Sequence, residues 1–190
     1  MSAAASVRGV PAWYVALLAM VGLERLRELG ISRSNETATR GVRAAPGSYP
    51  LMVATHVGLL TLPLLEAARV SPRAPRWRWV MVLAAATGLR IWSIRSLGQA
   101  WNVRAAVPDD LAPVESGPYA FIRHPNYLAV MLEFLAVPLI ARARLSALVL
   151  SALNAVILFD RIRAEERLLN ASPAYRRAFG RRARFIPGLF

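Results

Sequence analysis

Five apolar blocks, at roughly residues 11 to 29, 49 to 66, 77 to 95, 127 to 141 and 145 to 160, limit the folds open to this chain more than anything else in it. Backbone polar groups inside hydrocarbon must be satisfied within the chain, so such blocks read as helices. A spanning helix takes about 20 predominantly apolar residues. The first three blocks reach that length singly; the last two are short and cross only by tilting, thinning the bilayer or lying inside a bundle. Only "RAR", Arg142 to Arg144, separates them, which predicts a tight helical hairpin with a basic tip at a headgroup surface. The expected architecture is an all-α integral membrane bundle of about five transmembrane helices with a C-terminal amphipathic helix. It forms one domain over residues 1–190, with N-terminal transmembrane helices in 1–95 and a distinct C-terminal half in 96–190.

Composition agrees. The chain is 56% hydrophobic and carries 24 basic residues, all arginine, against 11 acidic ones. A surplus of +13 suits nucleic acid, anionic lipid or the cytoplasmic face of a membrane protein. The apolar blocks decide for membrane lipids, and the tail bases alternate with apolar residues in the manner of a packed or interfacial helix, so no nucleic acid is expected. The absence of cysteine removes disulfides, a thiol nucleophile and any cysteine metal site. Two histidines, His56 and His124, without an HExxH spacing offer no hydrolytic zinc set, and no metal is expected. Neither GxGxxG nor GxxxxGK[ST] occurs, so any cofactor is held by something other than a Rossmann turn or a P-loop.

The first 30 residues place one arginine before an apolar run, the general shape of a signal peptide, but the run passes into a charged helix end without a small-residue cleavage pattern. It reads as a retained first span. Arg8, Arg69, Arg73, Arg76, Arg142 and Arg144 fall on one side of the implied topology. Arg33, Arg40, Arg43, Arg104, Arg123 and eight tail arginines from Arg161 to Arg184 fall on the other. Arginine bias therefore predicts the second side to be cytoplasmic, with the N-terminus outside and the C-terminus inside. The connection from Ser96 to Pro125 holds four prolines and the carboxylates Asp109, Asp110 and Glu115, and is expected to be irregular but ordered near the membrane surface. The tail is expected to begin as an amphipathic helix bearing Ile162, Leu168 and Leu169, to turn at Ser172 and Pro173, and to fold its terminal "FIPGLF" back on the bundle.

Ionisable residues in or against the apolar blocks are costly unless they pair or face a polar interior, so each is a candidate for function. They are Glu24, Arg25, Arg27, Glu28, His56, Arg90 and Glu133. Glu24 and Glu28 can pair with Arg25 or Arg27 at a helix end. His56 reads either as a hydrogen-bonded structural histidine or as a general base. Arg90 has no acidic neighbour within a turn and needs an anion from elsewhere, either Glu133 or a bound ligand. Arg90, Glu133 and His56 are the candidate catalytic residues.

"GPYAFIRHPNYLAVMLEF", residues 117 to 134, is followed some thirty residues on by "RIRAEERLL", then by Tyr175, Phe179 and "FIPGLF". This ordered set resembles the integral-membrane methyltransferases typified by isoprenylcysteine carboxyl methyltransferase, and the likeness covers roughly residues 95 to 190. "ERLRELGISRSNE" at 24 to 36 and "SYPLMVATH" at 48 to 56 are similar to a bacterial branch associated with type III polyketide synthases, whose members O-methylate alkylpyrones and related lipidic phenols. The chain departs from that branch at Ser48, where a histidine is expected.

The resemblance implies an S-adenosylmethionine-dependent O-methyltransferase in a bacterial inner membrane, releasing S-adenosylhomocysteine and acting on a lipophilic small-molecule acceptor. It implies cofactor-binding loops on the cytoplasmic side. Arg123, His124, Pro125 and Tyr127 would form one wall of that pocket, and Glu165 or Glu166 would reach the ribose hydroxyls. Alone, the glutamate pair reads as a solvated helix face; the RHPxY element upstream turns the reading towards a site. A sterol-type NADPH reductase shares the "RHPNY" string, a phospholipid N-methyltransferase differs only in its acceptor, and a non-catalytic lipid-binding membrane protein would use the arginine-rich tail for headgroups.

Overall fold

The computed structural model describes residues 9–38, 41–108 and 112–187. Arg8, Arg40, Asp109, Asp110 and the last three residues, on which some of the expectations fall, lie outside the described residues. Among the described residues six helices carry the fold: α1 (Ala12–Ala38), α2 (Ser48–Val70), α3 (Trp77–Leu97), α4 (Pro125–Ile140), α5 (Arg144–Leu169) and α6 (Pro173–Phe179). Two three-residue strands, β1 (Gly41–Arg43) and β2 (Ala106–Pro108), pair antiparallel with Val42 opposite Val107.

The all-α membrane class holds. Among the described residues three helices are long and apolar enough to cross a bilayer: α2, α3 extended by its terminal 3-10 turn to Ala100, and α5. At 16 residues α4 is a shorter apolar helix. The second half of α1 carries Glu24, Arg25, Arg27 and Glu28, which keeps it out of that set. Two boundaries differ from expectation. Gly30 does not stop α1, which runs on to Ala38 and absorbs much of the expected link at 30 to 48; a single helical glycine costs only about 1 kcal/mol relative to alanine. The fifth block and the start of the tail form one 26-residue helix, α5, because nothing between Phe159 and Leu169 breaks it.

Helix α4 is the axis. Val130, Phe134, Val137 and Ile140 are buried against Tyr14 and Leu18 of α1, Leu59 of α2, Leu83 of α3 and Leu150 and Leu158 of α5. The outer faces of α2, α3 and α5 expose Leu62, Leu65, Met81, Leu148, Val156 and Phe159, the apolar coat expected of a surface that meets lipid. The α4–α5 hairpin turns through Arg142 at φ 63° between the buried Ala141 and Ala143. The Glu66 carboxylate accepts from the backbone N–H groups of Leu145 (3.0 Å) and Ser146 (2.7 Å), satisfying otherwise orphaned donors at the start of α5.

The connections sort to two ends of the bundle. At one end the Tyr14 hydroxyl donates to Val137 O, the Arg76 N–H to Ile140 O, and Glu66 meets the hairpin. At the other end lie β1 and β2, the Ser96–Pro125 connection and the tail. There the tail folds back as expected: the N–H groups of Arg123 and His124 donate to Ala183 O and Arg184 O, and Phe185 packs on the core. Helix α6 starts where the turn was expected, with Ser172 as N-cap and Pro173 in its first turn. Gly117 (φ 61°) takes a conformation that suits glycine, and a Cβ there would strike the Ser96 hydroxyl.

Candidate functional site

Proline fixes the start of the site. Pro125 opens α4 at a position where a missing N–H costs nothing, and so sets His124 just before the helix and Asn126 and Tyr127 in its first turn. Facing them, Glu165 and Glu166 lie near the end of α5 and their two side chains diverge. Glu165 accepts a hydrogen bond from the Tyr127 hydroxyl at 2.6 Å. Glu166 is a hub: it accepts from His124 Nε2 (3.1 Å) and from Arg184 (2.7 and 3.0 Å), and pairs with Arg123 at 3.3 Å. A carboxylate oxygen only accepts, so His124 carries its proton on Nε2. This hub ties the tail to the turn that begins α4. At Arg184 the hydrogen bonds to Glu166 hold the guanidinium in its charged form, raising its pKa.

A cavity of about 120 Å³ opens beside this turn, lined by Arg123, His124, Tyr127 and Glu165 together with Tyr119 and Tyr175. Pro125 and Glu166 are not in its lining. Pro125 is fully buried, and Glu166 is turned to the arginines. Burial, then the nearby Glu165 charge, pushes the hydroxyls of Tyr119 and Tyr175 above the ordinary tyrosine range, so both stay protonated donors.

A second cavity, about 340 Å³, lies deeper between α1, α2, α4 and α5. Its wall is mostly apolar, with Val53, Val57, Leu60, Val130 and Leu158, and its polar groups include His56, Arg90, Arg25 and Glu28. Leu26, Val53 and Val57 line it and are also exposed, so the cavity has a mouth between α1 and α2 on the flank of the bundle. The two cavities share Trp101, Asn102, Asn126 and Tyr127, which form the partition between them.

Glu133, one of the two anions considered for Arg90, stands within ion-pair distance of it, but the nearer partner is Glu28. Arg90 donates from Nε and Nη2 to the two oxygens of Glu28, at 2.5 and 2.7 Å, and stands 3.8 Å from Glu133. Glu133 instead receives Arg25 at 3.2 Å, and Arg25 also meets Glu28 at 3.0 Å. Two arginines and two glutamates thus neutralise one another in the interior, and no ligand is needed to balance Arg90. Glu133 is not in the lining of the cavity; it fixes the arginines that are. Glu24 pairs with Arg27 at the exposed surface, as expected, but in the middle of α1 rather than at a helix end.

His56 Nδ1 lies 2.8 Å from Met52 O. A carbonyl only accepts, so Nδ1 bears the proton and Nε2 keeps a lone pair. The ring sits edge-on to Phe134 in the cavity wall. Arg161 is the residue that sequence reasoning missed, having been counted only as a tail base. It is 2% exposed, lines the deeper cavity, donates to Val103 O (2.8 Å) and Ser48 Oγ (3.3 Å), and forms no ion pair among the described residues. Its signal was its register, four residues before Glu165 and therefore on the same helix face.

Chemically, the shallower cavity offers a carboxylate, an arginine and aromatic surfaces. The deeper one is an apolar chamber whose Arg161 has no counter-ion among the described residues. Among the described residues no group of histidine and carboxylate side chains is placed to hold a metal ion. Residues 79–171 match the model of the isoprenylcysteine carboxyl methyltransferase (ICMT) family. Over 159 residues the chain is 31% identical to the uncharacterized protein YpbQ of Bacillus subtilis (strain 168), an alignment covering 80% of this chain and 94% of that relative. The family match takes in α3, α4, α5 and the turn at Arg123–Tyr127, whereas Arg25, Glu28 and His56 lie before it.

Proposed function

This chain belongs to the isoprenylcysteine carboxyl methyltransferase family, and on that premise we propose that, as a membrane methyltransferase, it O-methylates an anionic acceptor bearing an alkyl or prenyl chain, using S-adenosylmethionine. The observation that carries the proposal is the partition: a polar and aromatic cavity and an apolar one share Trp101, Asn126 and Tyr127, so two ligands can meet there. When bound, S-adenosylmethionine supplies an electrophilic methyl group on a sulfonium.

The side chains of the shallower cavity fit that cofactor. Glu165 spends one oxygen on Tyr127, and a carboxylate has further capacity for ribose hydroxyls. Arg123 has a buried Nε without a hydrogen-bond partner among the described residues, suited to the methionine carboxylate. Tyr119, Tyr175 and Phe179 supply faces for the adenine and tolerate a cation nearby. Glu166 serves at one remove, holding Arg123 and His124 in place.

On the acceptor side Arg161 attracts the anion, while Val53, Val57 and Leu60 accept its chain through the opening between α1 and α2. An acceptor already ionised near neutral pH, such as a carboxylate or the enol of an alkylpyrone, needs no base. A phenol does, and His56 Nε2 is the free basic atom in the cavity. The reading sets both cavities and the tail arginines at the cytoplasmic end of a bacterial inner membrane. Arg161, which forms no ion pair among the described residues, favours an anionic acceptor over the amine of a phospholipid. The test is to incubate purified protein with labelled S-adenosylmethionine and a panel of alkylpyrones, alkylresorcinols, prenylcysteine analogues and phospholipids. Label is expected in an acidic lipophilic acceptor; label in phospholipid amines alone would overturn the reading. S-adenosylhomocysteine is expected to raise the melting temperature in detergent and NADPH to leave it unchanged, which separates the sterol-reductase alternative.

A further inference from the structure

Two polar atoms in the partition have no partner. The indole Nε1 of Trp101 and the amide Oδ1 of Asn126 are both buried without a hydrogen bond among the described residues, and both residues line both cavities. An orphaned buried donor or acceptor carries a desolvation penalty of about 1–3 kcal/mol, so such atoms are uncommon and ask for a ligand. Neither is loosely held. Trp101 is 2% exposed; its N–H donates to Gly98 O (3.2 Å), and its carbonyl accepts from Asn35 Nδ2 (2.6 Å). Asn126 follows Pro125 in the first turn of α4. One is a donor only and the other, at Oδ1, an acceptor, so the partition offers both halves of a hydrogen-bonding pair where the two ligands meet.

Resting on the methyltransferase reading above, we propose that Trp101 and Asn126 form the transfer point: the Trp101 N–H holds one oxygen of the acceptor, and the Asn126 amide oxygen receives the polarised methyl C–H groups. A hydrogen bond to the attacking oxygen itself would withdraw the electron pair that must form the new bond. The arrangement therefore selects acceptors with two conjugated oxygens, a carboxylate or a vinylogous acid, in which one oxygen is gripped while the other attacks. The step balances without a further reactant. An oxygen lone pair of the acceptor anion forms the O–CH₃ bond, the S–CH₃ bond breaks with its pair to sulfur, cation and anion become two neutral products, and no proton moves. Trp101 and Asn126 thereby align the reacting atoms, which is most of what methyl transfer asks of a protein.

The test uses the full-length protein in detergent, with binding measured calorimetrically. Asn126→Ala is expected to leave affinity for S-adenosylhomocysteine unchanged, since that molecule has no methyl. It is expected to weaken S-adenosylmethionine by about two- to fivefold, the scale of a C–H···O contact. Trp101→Phe is expected to weaken binding of a 4-hydroxy-6-alkyl-2-pyrone, measured with S-adenosylhomocysteine present, by roughly tenfold. In the unaltered protein, which needs no variant to fold, that pyrone is expected to be methylated at least about tenfold faster than a phenol with the same alkyl chain, one hydrogen bond to an anion having about that value. An unchanged ratio of the two cofactor affinities in Asn126→Ala, unchanged pyrone affinity in Trp101→Phe, or equal rates for pyrone and phenol would each overturn the transfer point while the methyltransferase reading stands. Failure of the unaltered protein to bind S-adenosylhomocysteine would overturn both.

Discussion

Arg90 on α3 and Glu28 on α1 are locked side by side in the interior, Nε to Oε1 at 2.5 Å and Nη2 to Oε2 at 2.7 Å, across 62 positions of sequence. With Arg25 and Glu133 they close a neutral cluster that fastens α1 to α3 and α4 where α1 otherwise packs sparsely against α2. Breaking a buried pair from one side strands a charge and costs about 3–5 kcal/mol, whereas replacing both partners by apolar groups of similar volume is often neutral. Arg90→Ala is therefore expected to lower the melting temperature in detergent markedly, and Arg90→Met with Glu28→Leu to recover most of it. A single variant as stable as the parent would show that the cluster holds nothing together.

Adjacent glutamates with different partners are expected to fail differently. Glu165→Gln removes the carboxylate of the shallower cavity, and loss of a hydrogen bond to a charged group, about 1.5–3 kcal/mol, predicts at least about tenfold weaker S-adenosylhomocysteine binding with little change in stability. Glu166→Gln releases Arg184, Arg123 and His124 together, so the tail should open and limited proteolysis should cut after Arg181 or Arg182 sooner than in the parent. Equal behaviour of the two variants in both assays would refute the division of labour.

The apolar blocks and the turn at Ser172 and Pro173 were legible because each is local: composition over about 20 residues, or a proline just past a helix end, decides the outcome. The approach of His124 and Tyr127 to Glu165 and Glu166 was legible only through resemblance, since spacing alone leaves a glutamate pair on a solvated face. The Glu28–Arg90 pair was not legible. Whether Glu24 or Glu28 meets Arg90 depends on the rotation of α1 about its axis, and that rotation is set where Tyr14, Leu18 and Val21 turn into the core and the Tyr14 hydroxyl donates to Val137 O of α4. Arg161 was hidden for a related reason: the helix end expected near residue 160 does not exist, so an apparent tail base is an interior one.

His56 distinguishes two kinds of acceptor. Its Nδ1–H is committed to Met52 O, which leaves Nε2 to take a proton from a phenol but gives it nothing to do for an acceptor that arrives ionised. His56→Asn is expected to reduce turnover of an alkylresorcinol by about 10²-fold or more, the usual scale of general-base catalysis, and to leave an alkylpyrone within a few fold of the parent. Equal losses on both acceptors would make the histidine a structural member of the wall.

Gly117 offers a test of how the turn before α4 is held, independent of any ligand. Its φ of 61° falls in the left-handed region, where a side chain costs about 1–2 kcal/mol, and a Cβ would also meet the Ser96 side chain and Trp92 Nε1. Gly117→Ala should therefore destabilise by more than the conformational term alone. Adding Ser96→Ala removes the hydroxyl that the new methyl would strike and is expected to restore only part of the loss, because the backbone conformation is unchanged. The remainder, read as the difference in melting temperature between the double variant and Ser96→Ala alone, is the cost of that φ angle together with the contacts that persist, at 3.0 Å from Trp92 Nε1 and from the Cβ of residue 96. Since the 3-10 turn that follows carries Tyr119, a lining residue of the shallower cavity, the same pair of variants should weaken S-adenosylhomocysteine binding in the order of their instability. Cofactor affinity that stays constant across the series would mean that the turn before α4 and the cavity are set independently.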